Sequence, residues 1–80
     1  TKGAEDLSVE ALALLDRLKA WRMEQARGQG VPPYVIFHDA TLAEIARRTP
    51  RSRAALGSIS GIGVLKLDRY GDDLLELLSG

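Results

Sequence analysis

The chain has no cysteine, a single histidine (His38), four aromatic residues and no net charge. Without cysteine, neither a disulfide framework nor a thiolate metal site can form, which fits an intracellular protein. One imidazole leaves no histidine-rich metal pattern, and neither a Walker nor an H-E-x-x-H motif is present. No apolar run approaches the roughly 20 residues that span a bilayer, and no signal-peptide pattern opens the chain, so a soluble domain with no membrane partner is expected. Eleven basic residues against eleven acidic ones also deny it the strong positive balance that announces many nucleic-acid binders.

What is present suffices for one core. Eighty residues, 45% of them hydrophobic and 28% charged, suit a single ordered domain that buries about 60 to 65% of its extended surface. The charge is unevenly spread. Residues 1–16 carry one base against four acids, residues 67–80 do the same, and the middle segment sets nine bases against three acids. The sequence is dipolar, and folding decides whether the middle charges share a face.

Apolar spacing reads as helix throughout. The opening TKGAED (1–6) lacks apolar periodicity; residues 1–7 are expected to be a linker or remnant, with the domain spanning 8–79. Ser8 is placed to cap a first helix, with Leu7 and Leu12 at the positions of a hydrophobic staple. Leu7, Ala11, Leu14, Leu15, Leu18 and Ala26 keep helical spacing to about Arg27. Trp21 and Arg22 lie beside that stripe. Gly28, Gly30, Pro32 and Pro33 then stop the helix. The segment VPPYVIF (31–37) has a strand-like composition, but two prolines would leave ladder positions empty. An extended or short 3₁₀ crossing is expected instead, with Val35, Ile36 and Phe37 in the core.

Thr41 and Glu44 have the spacing of a capping box, predicting a second helix to about Arg48 or Thr49. Pro50 separates it from a short third helix capped by Ser52 and carrying Ala55, Leu56 and Ile59. After Ser60–Gly63 a fourth helix points Leu67, Tyr70, Gly71, Leu74, Leu75 and Leu78 inward. Gly71 on that stripe costs about 1 kcal/mol of helix propensity relative to alanine, which predicts that another helix approaches closely there. The fold class is all-α: a compact bundle of four helices, five if the 31–37 crossing counts.

Catalytic chemistry finds no constellation. His38 and Asp39 are adjacent and do not aim at one atom, so His38 is expected in solvent and Asp39 as an auxiliary cap. Ser58 and Ser60 lack a general base. Asp72 and Asp73 fall on neighbouring helix faces and do not oppose one another across a cleft. No catalytic residue, metal ligand or cofactor-binding residue is therefore expected.

Binding chemistry has more material. Arg47, Arg48, Arg51 and Arg53 have no acid between them. They are either a solvated corner where two helices meet, favoured by the helix dipole, or a phosphate-contacting corner. Tyr34 follows two prolines that restrict its backbone, and it either packs inward or offers a platform for an unpaired base. Trp21, on a helix near Leu18, suits packing at the core edge better than stacking. In Ser58–Gly71 (SISGIGVLKLDRYG), Gly61 and Gly63 make a tight turn with Ile62 as a core plug. The same turn, with Lys66 three residues on, could present backbone amides and a cation to a phosphate.

Taken together, LKAWR (18–22), VPPYVIFHDATLAEIA (31–46), Pro50 and ISGIGVLKLDRYG (59–71) resemble the HRDC domain, the helicase and ribonuclease D C-terminal module, from about Leu12 to Leu78. The PPYVIFHDATL wording is most similar to a RecQ-type ATP-dependent DNA helicase, with ribonuclease D as the other parent. The resemblance implies a compact helical bundle with a helix-hairpin-helix-like Gly-x-Gly turn. It also implies a non-catalytic accessory module that binds single-stranded or branched DNA weakly and tunes substrate choice. Tyr34, Arg47, Arg48, Arg51, Arg53, Gly61, Gly63 and Lys66 are the nucleic-acid contacts expected on these grounds. ATP and Mg are expected only in the parent motor. The domain is expected to be a monomer, cytoplasmic or nucleoid-associated. The zero net charge and the acidic final helix depart from the more basic members and keep a second reading open, in which the module docks on the helicase core or another protein.

Overall fold

The computed structural model describes residues 7–79. Five helices follow in order: α1 Val9–Gln29, α2 Pro33–Ile36, α3 Asp39–Arg48, α4 Arg53–Gly57 and α5 Val64–Ser79. No strand occurs among the described residues. The expected opening linker lies outside the described residues apart from Leu7, which is buried against the core.

Helix α1 starts as its sequence dictates. The Ser8 hydroxyl accepts from Ala11 N at 3.1 Å, satisfying one of the amides left free at a helix start. Ala11, Leu15, Leu18 and Ala26 form its buried stripe. Leu12 is exposed, so the staple expected between Leu7 and Leu12 gives way to Leu7 packing on the core. At the other end Gly30, at φ 68°, closes a Schellman-type cap: Gly30 N donates to Arg27 O and Val31 N to Ala26 O, at 3.3 and 3.0 Å.

The 31–37 segment is neither strand nor simple crossing. It makes one helical turn, α2, with Pro33 at its first position, where a missing amide costs nothing. One 3₁₀-type bond, Val35 N to Pro32 O at 3.1 Å, and one longer α-type bond, Phe37 N to Pro33 O at 3.4 Å, hold it. Ile36 and Phe37 enter the core as expected, but Val35 stays exposed, because a single turn can present only one side inward.

Helix α3 begins three residues earlier than the Thr41–Glu44 box implied. His38 is its N-cap residue, without a side-chain cap bond, and Thr41 is buried inside the first turns. Glu44 reaches forward to arginines and makes no return to the helix start. The capping box is therefore absent: tertiary burial took the threonine. Thr49 ends the helix at φ 42°, a left-handed conformation unusual for a β-branched residue, and Pro50 prevents continuation. Ser52 caps α4 through Ala55 N at 3.1 Å. Leu56 is buried within α4, and Ile59 is buried in the turn beyond it.

Helix α1 packs on α2 and α3, and α4 packs on α5. Leu18, Leu42, Ile45, Leu56 and Leu74 are fully buried at the centre, each contributing about 1.5 to 3 kcal/mol through burial. Phe37 sits among Trp21 and Tyr70, with ring centroids at 6.1 and 5.8 Å. Trp21 is half-buried at this core edge, and the Tyr70 hydroxyl accepts from Gln29 Nε2 at 2.8 Å. Gly71 is buried, and a Cβ there would lie 3.2 Å from Arg53 Nη1 and 3.3 Å from Leu67 Cδ1. The close visitor is thus an arginine side chain from α4, where the spacing predicted a helix.

Candidate nucleic-acid interface

The turn α2 places Tyr34 outward while its neighbours Ile36 and Phe37 anchor the same turn in the core. Tyr34 is 60% exposed, and its ring stacks on His38 at 6.2 Å with an interplanar angle of 23°. Two cations hold this turn, one from α5 and one from α1. From α5, Lys66 Nζ donates to Val35 O at 3.2 Å and lies 5.2 Å above the Phe37 ring. From α1, Arg22 Nη1 donates to Phe37 O at 2.9 Å and meets Asp39 Oδ1 at 2.7 Å.

Arg22 was not singled out from the sequence as a functional residue. Its side chain is only 11% exposed, and its buried Nε has no hydrogen-bond partner among the described residues. Its hydrogen bond to Asp39 is the main cause holding that carboxyl below the ordinary aspartate range. Partial desolvation opposes the shift, and the charges of Arg22, Lys19 and His38 add to it.

The Gly-x-Gly turn lies at the same end of the bundle. Ile62 is its buried plug. Gly61 adopts φ 97°, and a Cβ there would collide with Thr41 Oγ1, so conformation and space both require glycine. A Cβ at Gly63 would meet nothing within 4 Å, which leaves its backbone open at the start of α5. The next two residues, Val64 and Leu65, are 83% and 84% exposed. A groove of about 430 Å³, lined by His38, Thr41, Arg48, Ser60 and Gly61, runs from the Tyr34–His38 stack to this turn.

The arginine corner is divided. Arg47 pairs with Glu44, and Arg48 Nε meets Glu44 Oε2 at 2.6 Å. Arg53 binds Asp72 Oδ1 at 2.7 Å and Leu67 O at 3.3 Å. Arg51 is exposed and forms no ion pair among the described residues. Of the eight residues expected to meet nucleic acid, Tyr34, Gly61, Gly63, Lys66 and Arg48 therefore gather around one end. Arg53 is turned to α5, Arg47 shares Glu44 with Arg48, and Arg51 is exposed. The exposed Val64–Leu65 pair and the Tyr34–His38 stack were missed. Leu65 had a signal, because position 65 falls off the inward stripe of 67, 70, 71, 74, 75 and 78, whereas Val64 has helical spacing to 67 and 71 and is exposed only because it opens the helix. The stack had none, because it depends on the loop path.

No helix among the described residues is long and apolar enough to cross a membrane. A family model described as "HRDC domain" matches residues 11–78. Three relatives of different kinds carry related segments. An ATP-dependent DNA helicase UvrD2 from Mycobacterium tuberculosis is 51% identical over 84% of this chain and 10% of its own length. An ATP-dependent DNA helicase RecQ from Haemophilus influenzae is 38% identical over 81% of this chain and 10% of its own. A ribonuclease D from Pseudomonas paraeruginosa is 34% identical over 91% of this chain and 19% of its own. The chain thus spans about a tenth of the length of the helicases it matches.

Proposed function

Since the chain belongs to the HRDC family, we propose that it is the accessory DNA-binding module of an ATP-dependent DNA helicase of the UvrD2 or RecQ kind. It engages single-stranded or branched DNA weakly and tunes which substrates the motor accepts. ATP and Mg are handled by the motor, and this domain is a monomeric, non-catalytic unit spanning residues 8–79 in a cytoplasmic or nucleoid-associated protein. The observation that carries the reading is the exposure of Tyr34 at the end of the bundle where the Gly61–Gly63 turn opens α5. An exposed aromatic beside a backbone free to approach phosphate is what unpaired nucleotides need: a ring to stack on and a place for the sugar-phosphate chain. Zero net charge sets the expectation of weak affinity, since phosphate neutralisation dominates nucleic-acid binding.

The test is a comparison of single-stranded, duplex and forked DNA across a salt series. Binding to single-stranded and forked DNA is expected to exceed duplex binding and to fall as salt rises, with Tyr34→Ala lowering it by about 1 to 3 kcal/mol. Absence of binding to every form at low salt would sink the reading. One observation favours a second reading. Asp68, Asp72, Asp73 and Glu76 are all exposed on α5, an outer face that repels DNA and suits docking on the helicase core or another protein.

A further inference from the structure

The turn that carries Tyr34 cannot hold its own shape. Four residues are far below the length at which a helix sustains itself, and two prolines remove amide donors from its start. Its internal bonds are the two contacts from Val35 N and Phe37 N. The carbonyls at its C-terminal side have no following helical turn to meet. Lys66 takes Val35 O, and Arg22 takes Phe37 O. Both bonds have an ionised donor and are stronger than ordinary amide bonds. The Phe37 ring beneath the ammonium adds a second attachment on the same segment.

We infer that Lys66 is a positioning residue: it acts on the DNA reading of the preceding section by fixing the Tyr34 turn to α5 and is not a phosphate ligand. Tyr34 lies between Pro33, whose φ is locked, and Val35, whose carbonyl is held. The backbone that carries its ring is therefore set before a base arrives, and the ring itself rests on His38, which removes part of the ordering cost of stacking. The field of the lysine is not cancelled, because a carbonyl and a ring carry no net charge. Its ammonium is nevertheless directed into the turn, where both of its observed contacts lie.

The experiment compares this chain with Lys66→Met, which keeps the aliphatic stem, and Lys66→Arg, which keeps a cationic donor. Amide exchange at Val35 and Phe37 is measured without DNA, and the salt dependence of binding to single-stranded oligonucleotide is measured alongside. Lys66→Met is expected to speed exchange at both amides and to weaken binding with the log–log salt slope unchanged. It should have no further effect on binding in a Tyr34→Ala background, and Lys66→Arg should restore both properties. A phosphate ligand would behave otherwise, the slope falling by about 0.7 and the loss persisting without Tyr34. That pattern, or unchanged exchange in Lys66→Met, overturns the inference. If the unaltered chain binds no DNA, the functional reading fails, and the exchange comparison alone decides whether Lys66 holds the turn.

Discussion

The Tyr34 end and the arginine corner carry the same kind of charge and spend it differently. At the Tyr34 end, Lys66 meets a carbonyl and a ring, and Arg22 divides itself between a carbonyl and Asp39. At the corner, three of four arginines meet carboxylates from Glu44 and Asp72. A cation on a neutral acceptor keeps its net charge, whereas a cation on a carboxylate is largely compensated. The richest run of basic residues in the sequence is therefore the less available one, and a single lysine elsewhere has more influence on the candidate interface.

The largest expected effect breaks the Tyr34 end from beneath. Phe37→Ala removes the ring that joins Trp21, Tyr70 and Lys66 and should cost about 3 to 5 kcal/mol, read from the urea midpoint. A loss well below that range would mean Phe37 is not the hub of this end. Next, Gly71→Leu should overpack the space used by Arg53 and cost about 1 to 3 kcal/mol. An unchanged midpoint would show that the Arg53 contact is readily given up.

The comparison is sharpest between two arginines of the corner. Arg53→Ala should lower stability by about 0.2 to 1 kcal/mol, the range for exposed ion pairs, and leave the salt slope of DNA binding alone. Arg51→Ala should leave the midpoint alone and, where Arg51 meets a phosphate, reduce the slope by about 0.7. Equal behaviour of the two variants would erase the distinction between compensated and uncompensated arginines.

The smallest effect is acidic. Asp39 titrates lower when folded because Arg22 bonds its charged form, so its stabilisation is complete above the unfolded value near pH 3.9 and is lost as pH falls through the lowered folded value. Solvent screening of this exposed carboxylate keeps the contribution modest. Asp39→Asn should remove that part of the acid dependence, seen as a flatter midpoint profile below about pH 4; a profile parallel to the unaltered chain would reject the Arg22–Asp39 coupling.

Much of the fold was legible because local rules were not contested. Ser8 and Ser52 cap as their positions require, Gly30 ends α1, and the α5 stripe is buried where its 3.6-residue period puts it. The Thr41–Glu44 box failed because two tertiary demands outbid it: Thr41 is packed under Gly61, and Glu44 is taken by arginines. Val35 was misplaced because strand-like composition says nothing about which side of a single turn faces the core. The candidate site was legible residue by residue at Tyr34, Gly61 and Gly63. The role of Lys66 was not, because its partner Val35 O lies 31 positions away and is a backbone atom with no side-chain signature.

Composition, helical periodicity and punctuation by glycine and proline determined by themselves an all-α bundle, its element order and a turn at Gly61–Gly63. The PPYVIFHDATL wording around Tyr34 pointed to its family. Tertiary structure alone decided which charges remain available. Periodicity reports only the face a residue occupies on its own helix, whereas compensation depends on what a neighbouring helix brings within about 3 Å, the reach of a hydrogen bond.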